Sequence, residues 1–181
     1  MPELRQQLEH CLAGRVCFLG LGNPDYGDDG LGIRLSEMLC HAGMANVLTA
    51  GTTPERHLAT LARQGFEHVV FLDAVEFGGA PGSVVFLDAG AIAARFPQVS
   101  THKISLGLLA QWAEANGMKA WLLGVEPESL KPSPEGQPLT AAIRVTLEAL
   151  SALLQSLQLS PVLPSAAPAS ALKQIVEERA S

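Results

Sequence analysis

The stretch "HVVFLDAV" at residues 68–75 is apolar almost from end to end, until an aspartate interrupts it. A strand with one face in water alternates apolar and polar residues. A continuous apolar run instead suits a strand covered on both faces, as in the parallel sheets of α/β proteins. "RVCFLGLG" (15–22) and "KAWLLGV" (119–125) have the same character, and "NVLTA" (46–50) supplies a shorter strand. Helical patterns separate them. Leu31, Ile33, Leu35, Met38 and Leu39 fall mainly on one face and predict a helix over 30–42. In "GTTPERHLATLARQG", Thr53 is expected to cap a helix that has Pro54 in its first turn and Gly65 at its end. Further helices are expected near the N-terminus, over about 103–116 and over about 137–158.

One link breaks the alternation. "EFGGAPG" is only seven residues long and leads into "SVVFLD" at 83–88. A parallel crossover needs a dozen residues or more, so this strand should pair antiparallel or sit at the sheet edge. The expected fold is a three-layer α/β/α domain with a twisted, mostly parallel five-stranded sheet. At 181 residues the chain is long enough for one such domain, placed at 1–159. The Pro/Ala-rich segment 160–181 reads as a flexible tail, with Leu172, Ile175 and Val176 on one side of a short last helix.

The formal net charge of −6, with no basic run, argues against a nucleic-acid partner, which needs a Lys/Arg surplus on some face. Cys11, Cys17 and Cys40 are odd in number and lack C-x-x-C spacing, which argues against a disulfide framework and fits a reducing cytoplasm. The N-terminal stretch has no secretory pattern, and no apolar run reaches the length that spans a bilayer. A cytoplasmic protein with no membrane insertion is expected.

In open α/β sheets, function gathers beyond the carboxyl ends of the strands. The first strand delivers "GLGNPDYGDDGLG" (20–32), with Asn23, Asp25, Asp28 and Asp29; the second delivers Gly51 and Thr52. The third ends in Asp73 and Glu76, the fifth in Glu126, and His102 lies just before the helix of 103–116. Carboxylates with one imidazole suit a divalent metal better than a phosphate. A carboxylate at Asp28 or Asp29 would also satisfy the free amides at the helix start. Asp73 closes so apolar a strand that burying it without a donor or cation would be costly. The other histidines are weaker candidates: His10 lies in the N-terminal helix, His41 near a helix end, His57 within a helix and His68 at the opposite end of the third strand.

A dinucleotide fingerprint fails on the glycine turn. Asp25 stands where the third glycine belongs, and three aspartates would repel a pyrophosphate at the helix start. "LGLGNPDYGDD" is similar to the opening of peptidyl-tRNA hydrolases, yet the histidine that family carries a few residues after its tyrosine is missing from "GDDG".

A third resemblance runs along the chain. "LGLGNPDYGDDGLGIRL", "LDAVEFGGAPGSV", "STHKISL" and "LLGVEPESL" resemble, in order and spacing, four blocks of the hydrogenase maturation proteases. These endopeptidases trim the C-terminus of nickel–iron hydrogenase large subunits. The resemblance covers about residues 15–150 and puts the family's metal-contacting residues on Asp29, Asp73 and His102. It leaves the helix cap to Asp28. After the second strand only Gly51 and Thr52 match the family's pattern, and Lys103 has no assigned part.

The resemblance implies an aspartyl-type endopeptidase whose Asp29, Asp73 and His102 meet a nickel ion already inserted in the precursor. Nickel would arrive with the substrate, and zinc or cadmium could stand in for it in vitro. Cleavage would use a metal-activated water or an aspartate general base, with Asp73 the choice. Asn23, Gly51, Thr52 and Glu126 are expected substrate contacts, and a monomer is expected. The alternatives are a peptidyl-tRNA hydrolase-like esterase and a non-catalytic chaperone for nickel-loaded precursor.

Overall fold

Alternate residues of the central strands go to opposite sides of one sheet. Phe18, Val70, Leu72 and Leu123 join one buried cluster, while Cys17, Leu19, Phe71 and Leu122 join another. The computed structural model describes residues 2–96, 104–132 and 139–157. His102, Lys103 and the whole expected tail, 160–181, lie outside the described residues.

The elements run α1 (Pro2–Cys11), β1 (Val16–Leu21), a 3-10 turn (Gly27–Gly30), α2 (Leu31–His41), β2 (Val47–Gly51) and α3 (Glu55–Arg63). Then come β3 (His68–Ala74), β4 (Val84–Asp88), α4 (Ala89–Arg95), α5 (Leu106–Ala115), β5 (Lys119–Val125) and α6 (Ala141–Ser156). The sheet order is β2-β1-β3-β5-β4. All neighbours are parallel except β4, which runs antiparallel to β5. The short link thus makes the fourth strand both antiparallel and an edge. α1, α2 and α6 cover one face, and α3, α4 and α5 cover the other. Three layers result, as expected.

Burial follows the apolar runs. Every residue of β1 and β3 is buried, including His68 and Asp73 at the two ends of β3. Cys17 is a core residue whose thiol burial pushes up to about 12, so it stays protonated.

Two local expectations are corrected. No side-chain hydrogen bond caps α3, whose start is set by Pro54 in helical conformation and not by Thr53. A short helix, α4, was not expected after β4; Asp88 caps it, accepting from the Ala91 amide at 2.8 Å. The signal was present, since an aspartate precedes an alanine-rich segment of high helix propensity.

Two glycines let α2 lie close against the sheet. A Cβ on Gly32 would stand 2.0 Å from the Leu72 carbonyl oxygen and 2.5 Å from that of Leu21. One on Gly20 would meet Ser36 Oγ at 2.3 Å. The helix therefore starts in the notch between β1 and β3, where any larger residue would push it out.

Candidate active site

The chain leaves β1 for β2 on one side, then crosses back to β3 on the other. This reversal opens a crevice at the carboxyl ends of β1 and β3, the switch point where α/β proteins bind ligands. Asp29 arrives there on the 3-10 turn after β1, and Asp73 arrives as the next-to-last residue of β3. The register Gly20↔Leu72 puts Asp73 one step beyond, level with the end of β1. Both side chains are only 1% exposed.

The turn is built around Asp29. Its Oδ2 accepts the Asn23 amide at 2.8 Å, and its own amide donates to the Tyr26 carbonyl at 3.2 Å. Gly22 makes this possible. It has φ +114°, and a Cβ there would lie 1.8 Å from the Asp29 carbonyl oxygen. Asn23 Oδ1 accepts the Asp25 amide at 3.0 Å, closing an Asx turn that leaves Asp25 exposed. Asp73 Oδ1 accepts the Ala74 amide at 3.0 Å. Alternation along β3 directs Asp73 to the face of Val69 and Phe71, the one covered by α3, α4 and α5.

Asp28 corrects the sequence reading. It is fully buried, and neither the 3-10 turn nor α2 has a side-chain cap. Its carboxylate reaches across the domain to the segment joining β5 to α6. Oδ2 accepts the amides of Glu128 and Ser129, each at 3.0 Å, and the Thr140 hydroxyl at 3.1 Å. Oδ1 accepts the Thr140 amide at 2.8 Å. In return the Asp28 amide donates to the Ser129 carbonyl at 3.1 Å. Donors from that segment compete with the helix-start amides for the same lone pairs, and they win. Asp28 is a clamp between two walls of the crevice.

The other expected contacts divide. Gly51, with φ +60°, accepts the Gly22 amide at 3.2 Å, so it supports the turn; Thr52 beyond it is exposed. Glu126 is buried, and its Oε2 accepts the amides of Phe77 at 2.7 Å and Gly79 at 3.1 Å. It thereby fastens the link between β3 and β4, while Glu76 is exposed. His68 lies at the amino end of β3, opposite the crevice, and His10 lies in α1, His41 at the end of α2 and His57 in the first turn of α3.

Two buried carboxylates facing one crevice form a hard, anionic donor pair of the kind that suits a divalent cation. Among the described residues no group of three or more His, Cys, Asp or Glu is close enough to hold a metal ion. Helix α5, which follows position 102, runs opposite to β5 and so begins at the carboxyl edge. It lies on the same layer that Asp73 faces. Among the described residues no helix is long and apolar enough to cross a membrane.

An α/β domain with carboxylates at its switch point belongs to a class with many chemistries, and comparison with known proteins narrows it. A family model of hydrogenase maturation proteases matches residues 32–156. The hydrogenase 2 maturation protease of Escherichia coli K12 is 30% identical over 151 residues, covering 78% of this chain and 91% of that protein. The hydrogenase 3 maturation protease of the same organism is 27% identical over 135 residues, covering 73% and 86%. Among solved structures, the NiFe hydrogenase maturation protease HycI of Thermococcus kodakarensis superposes with a TM-score of 0.70 at 28% identity, over 82% of this chain and 96% of that one. The hydrogenase maturating endopeptidase HybD of E. coli gives 0.64 at 26%, over 78% and 90%. The chain belongs to the hydrogenase maturation protease family and is a peptide-bond hydrolase.

Proposed function

We propose that this protein removes the C-terminal extension of a nickel–iron hydrogenase large-subunit precursor once nickel has been inserted, meeting that nickel through Asp29, Asp73 and His102. The observation that carries the reading is the pair of buried carboxylates, Asp29 and Asp73, at the ends of adjacent parallel strands. Two buried carboxylates at the ends of adjacent strands supply hard oxygen donors that suit a divalent ion presented by the substrate. A precursor without nickel offers no such ion and docks poorly. The ion is thus part of the substrate and serves as the checkpoint. His102 comes from the sequence resemblance, and the start of α5 at the same edge agrees with it.

Once the ion is seated, the scissile carbonyl lies near the crevice and water must be activated. Asp73 is fixed by a buried strand and by the Ala74 amide, so it is positioned to take a proton from that water. Asp29, held by the Asn23 amide, keeps its orientation toward the ion.

The test mixes the protein with nickel-loaded and nickel-free precursor and follows the mass of the large subunit. Shortening only of the nickel-loaded form is expected, and it should be lost in a folded Asp73→Ala variant. A folded Asp73→Ala protein that still trimmed at the wild-type rate would overturn the assignment. Co-elution without shortening would make the protein a chaperone.

A further inference from the structure

We infer that the outer edge of β4 seats an extended segment of the substrate, the residues on the C-terminal side of the cleaved bond. The inference rests on the protease reading above and goes beyond it by assigning a second, peptide-binding surface.

Main-chain hydrogen bonds fix which way each residue of the edge faces. The Val75 amide donates to the Val125 carbonyl at 2.9 Å, and the Lys119 amide donates to the Glu67 carbonyl at 2.8 Å. Odd-numbered residues of β5 therefore turn their main chain toward β3, and even-numbered ones turn toward β4. The Glu126 amide agrees, donating to the Ser83 carbonyl at 2.9 Å. Val85 pairs with Gly124 and Leu87 with Leu122, so both spend their main-chain groups on β5. Val84 and Phe86 are out of phase with them, and their N–H and C=O point away from the sheet. Among the described residues no strand pairs with that side. An open edge of this kind is a template for one more strand.

The edge lies in a slot. A groove of about 510 Å³ runs along Val84–Leu87, with Leu4 and Gln7 of α1 and Arg95 of α4 in its walls. Four successive residues can line one groove only if it follows the backbone, since their side chains alternate between faces. α1 belongs to one helical layer and α4 to the other. Helices thus flank the edge on both sides. Such a slot admits a single extended chain and holds off the sheet of a second copy, which would bring its own flanking helices.

The slot is within reach of the crevice. Val84 pairs with Val125, which pairs with Ala74, so the start of β4 is level with the residue after Asp73. A strand added outside β4 would lie three strand spacings from β3, about 14 Å. Four or five extended residues, at about 3.3 Å each, cover that distance. A substrate extension of about ten residues would both reach the slot and fill it.

The experiment follows amide hydrogen exchange in the full-length protein with and without a synthetic peptide of the precursor's C-terminal extension. The Val84 and Phe86 amides should slow at least about tenfold when the peptide is added, while Val85 and Leu87, already in the ladder, stay unchanged. Unchanged Val84 and Phe86 would overturn the inference. So would slow exchange at those two amides before peptide is added, which would mean the chain's own segment fills the slot. Slowing that appears only as protein concentration rises would mean a second copy, and would overturn it equally.

A second arm uses Val84→Pro, which removes one outward donor and leaves the β5 ladder intact. Its KM for nickel-loaded precursor should rise about tenfold, equivalent to roughly one hydrogen bond, with kcat near wild type. If the wild type trims precursor and Val84→Pro does so with unchanged KM, the slot fails while the protease reading stands. If the wild type leaves nickel-loaded precursor intact, that reading fails, and the exchange experiment still decides the slot.

Discussion

His68 opens β3 and Asp73 nearly closes it, and the two side chains are 5% and 1% exposed. At the amino end, Trp121 Nε1 donates to His68 Nδ1 at 3.0 Å, and Phe86 stacks on that indole at 5.1 Å between ring centres. The ring is satisfied by Trp121 on the adjacent strand β5 and by the Ala13 backbone before β1. Burial is the main cause that lowers its pKa, with the Lys119 charge second. It is a neutral packing group. At the carboxyl end the sheet stops, the chain reverses direction, and the carboxylate of Asp73 stands level with the end of β1, from which the turn carrying Asp29 departs. Burial alone therefore does not mark a functional group on this strand. What marks one is the side of the sheet on which the titratable atom ends up.

The same contrast recurs within two residues. Asp28 spends both oxygens on donors of the β5–α6 segment, whereas Asp29 is oriented by an amide of its own turn. The sharpest attempt to break this division is a pair of alanine substitutions. Asp29→Ala should cut precursor processing at least about a hundredfold. It should cost about 1 kcal/mol of stability for the lost Asn23 bond. Asp28→Ala should do its damage through stability, by about 2–4 kcal/mol, because the half-buried amides of Ser129 and Thr140 lose the charged acceptor they share. Denaturant melts beside processing rates would show both. Equal stability losses would erase the distinction.

Gly22→Ala comes next. A Cβ 1.8 Å from the Asp29 carbonyl oxygen cannot be accommodated without moving the turn. A loss of about 2–3 kcal/mol is expected, with processing reduced in whatever fraction stays folded. Thermal melts and the precursor assay would check this together.

The smallest effect belongs to the amino end. His68 has a folded-state pKa below its ordinary 6.5, so the unfolded chain takes up its proton first as pH falls. Its contribution to stability is therefore complete above about 6.5 and is lost as pH drops from there toward the folded-state value. Trp121→Phe removes the N–H that favours the neutral ring, so the His68 pKa should rise toward its ordinary value. The stability cost should be about 1 kcal/mol. Imidazole titration by NMR would measure the shift. A fall in pKa would contradict the assignment.

Much of this was readable in the chain because the relevant signals are local. Continuous apolar runs gave the strands and their two-sided burial, and a seven-residue link gave the antiparallel fourth strand. The strand-end rule then gathered Asp29 and Asp73. Asp28 could not be read in this way. Its partners lie 100 to 112 positions along the chain, and beside a helix start a buried clamp looks the same as a helix cap. Glu126 posed a related problem. Its place at the end of β5 suggested a substrate contact, yet the amides that occupy its carboxylate belong to the link after β3. A sequence shows which groups arrive at an edge, but not which of them are already engaged there.

The length of the Asp28 clamp has a consequence for when the enzyme becomes competent. A nascent chain that has emerged as far as Val125 already contains both crevice aspartates, yet Thr140 is still unmade. Contacts across so long a loop form late, because the closure entropy must be met before they stabilise anything. The turn that carries Asp29 is therefore locked only after the start of α6 has docked. Half-made molecules would hold these carboxylates loosely, and the ability to hydrolyse a peptide would arrive with the last piece of the domain.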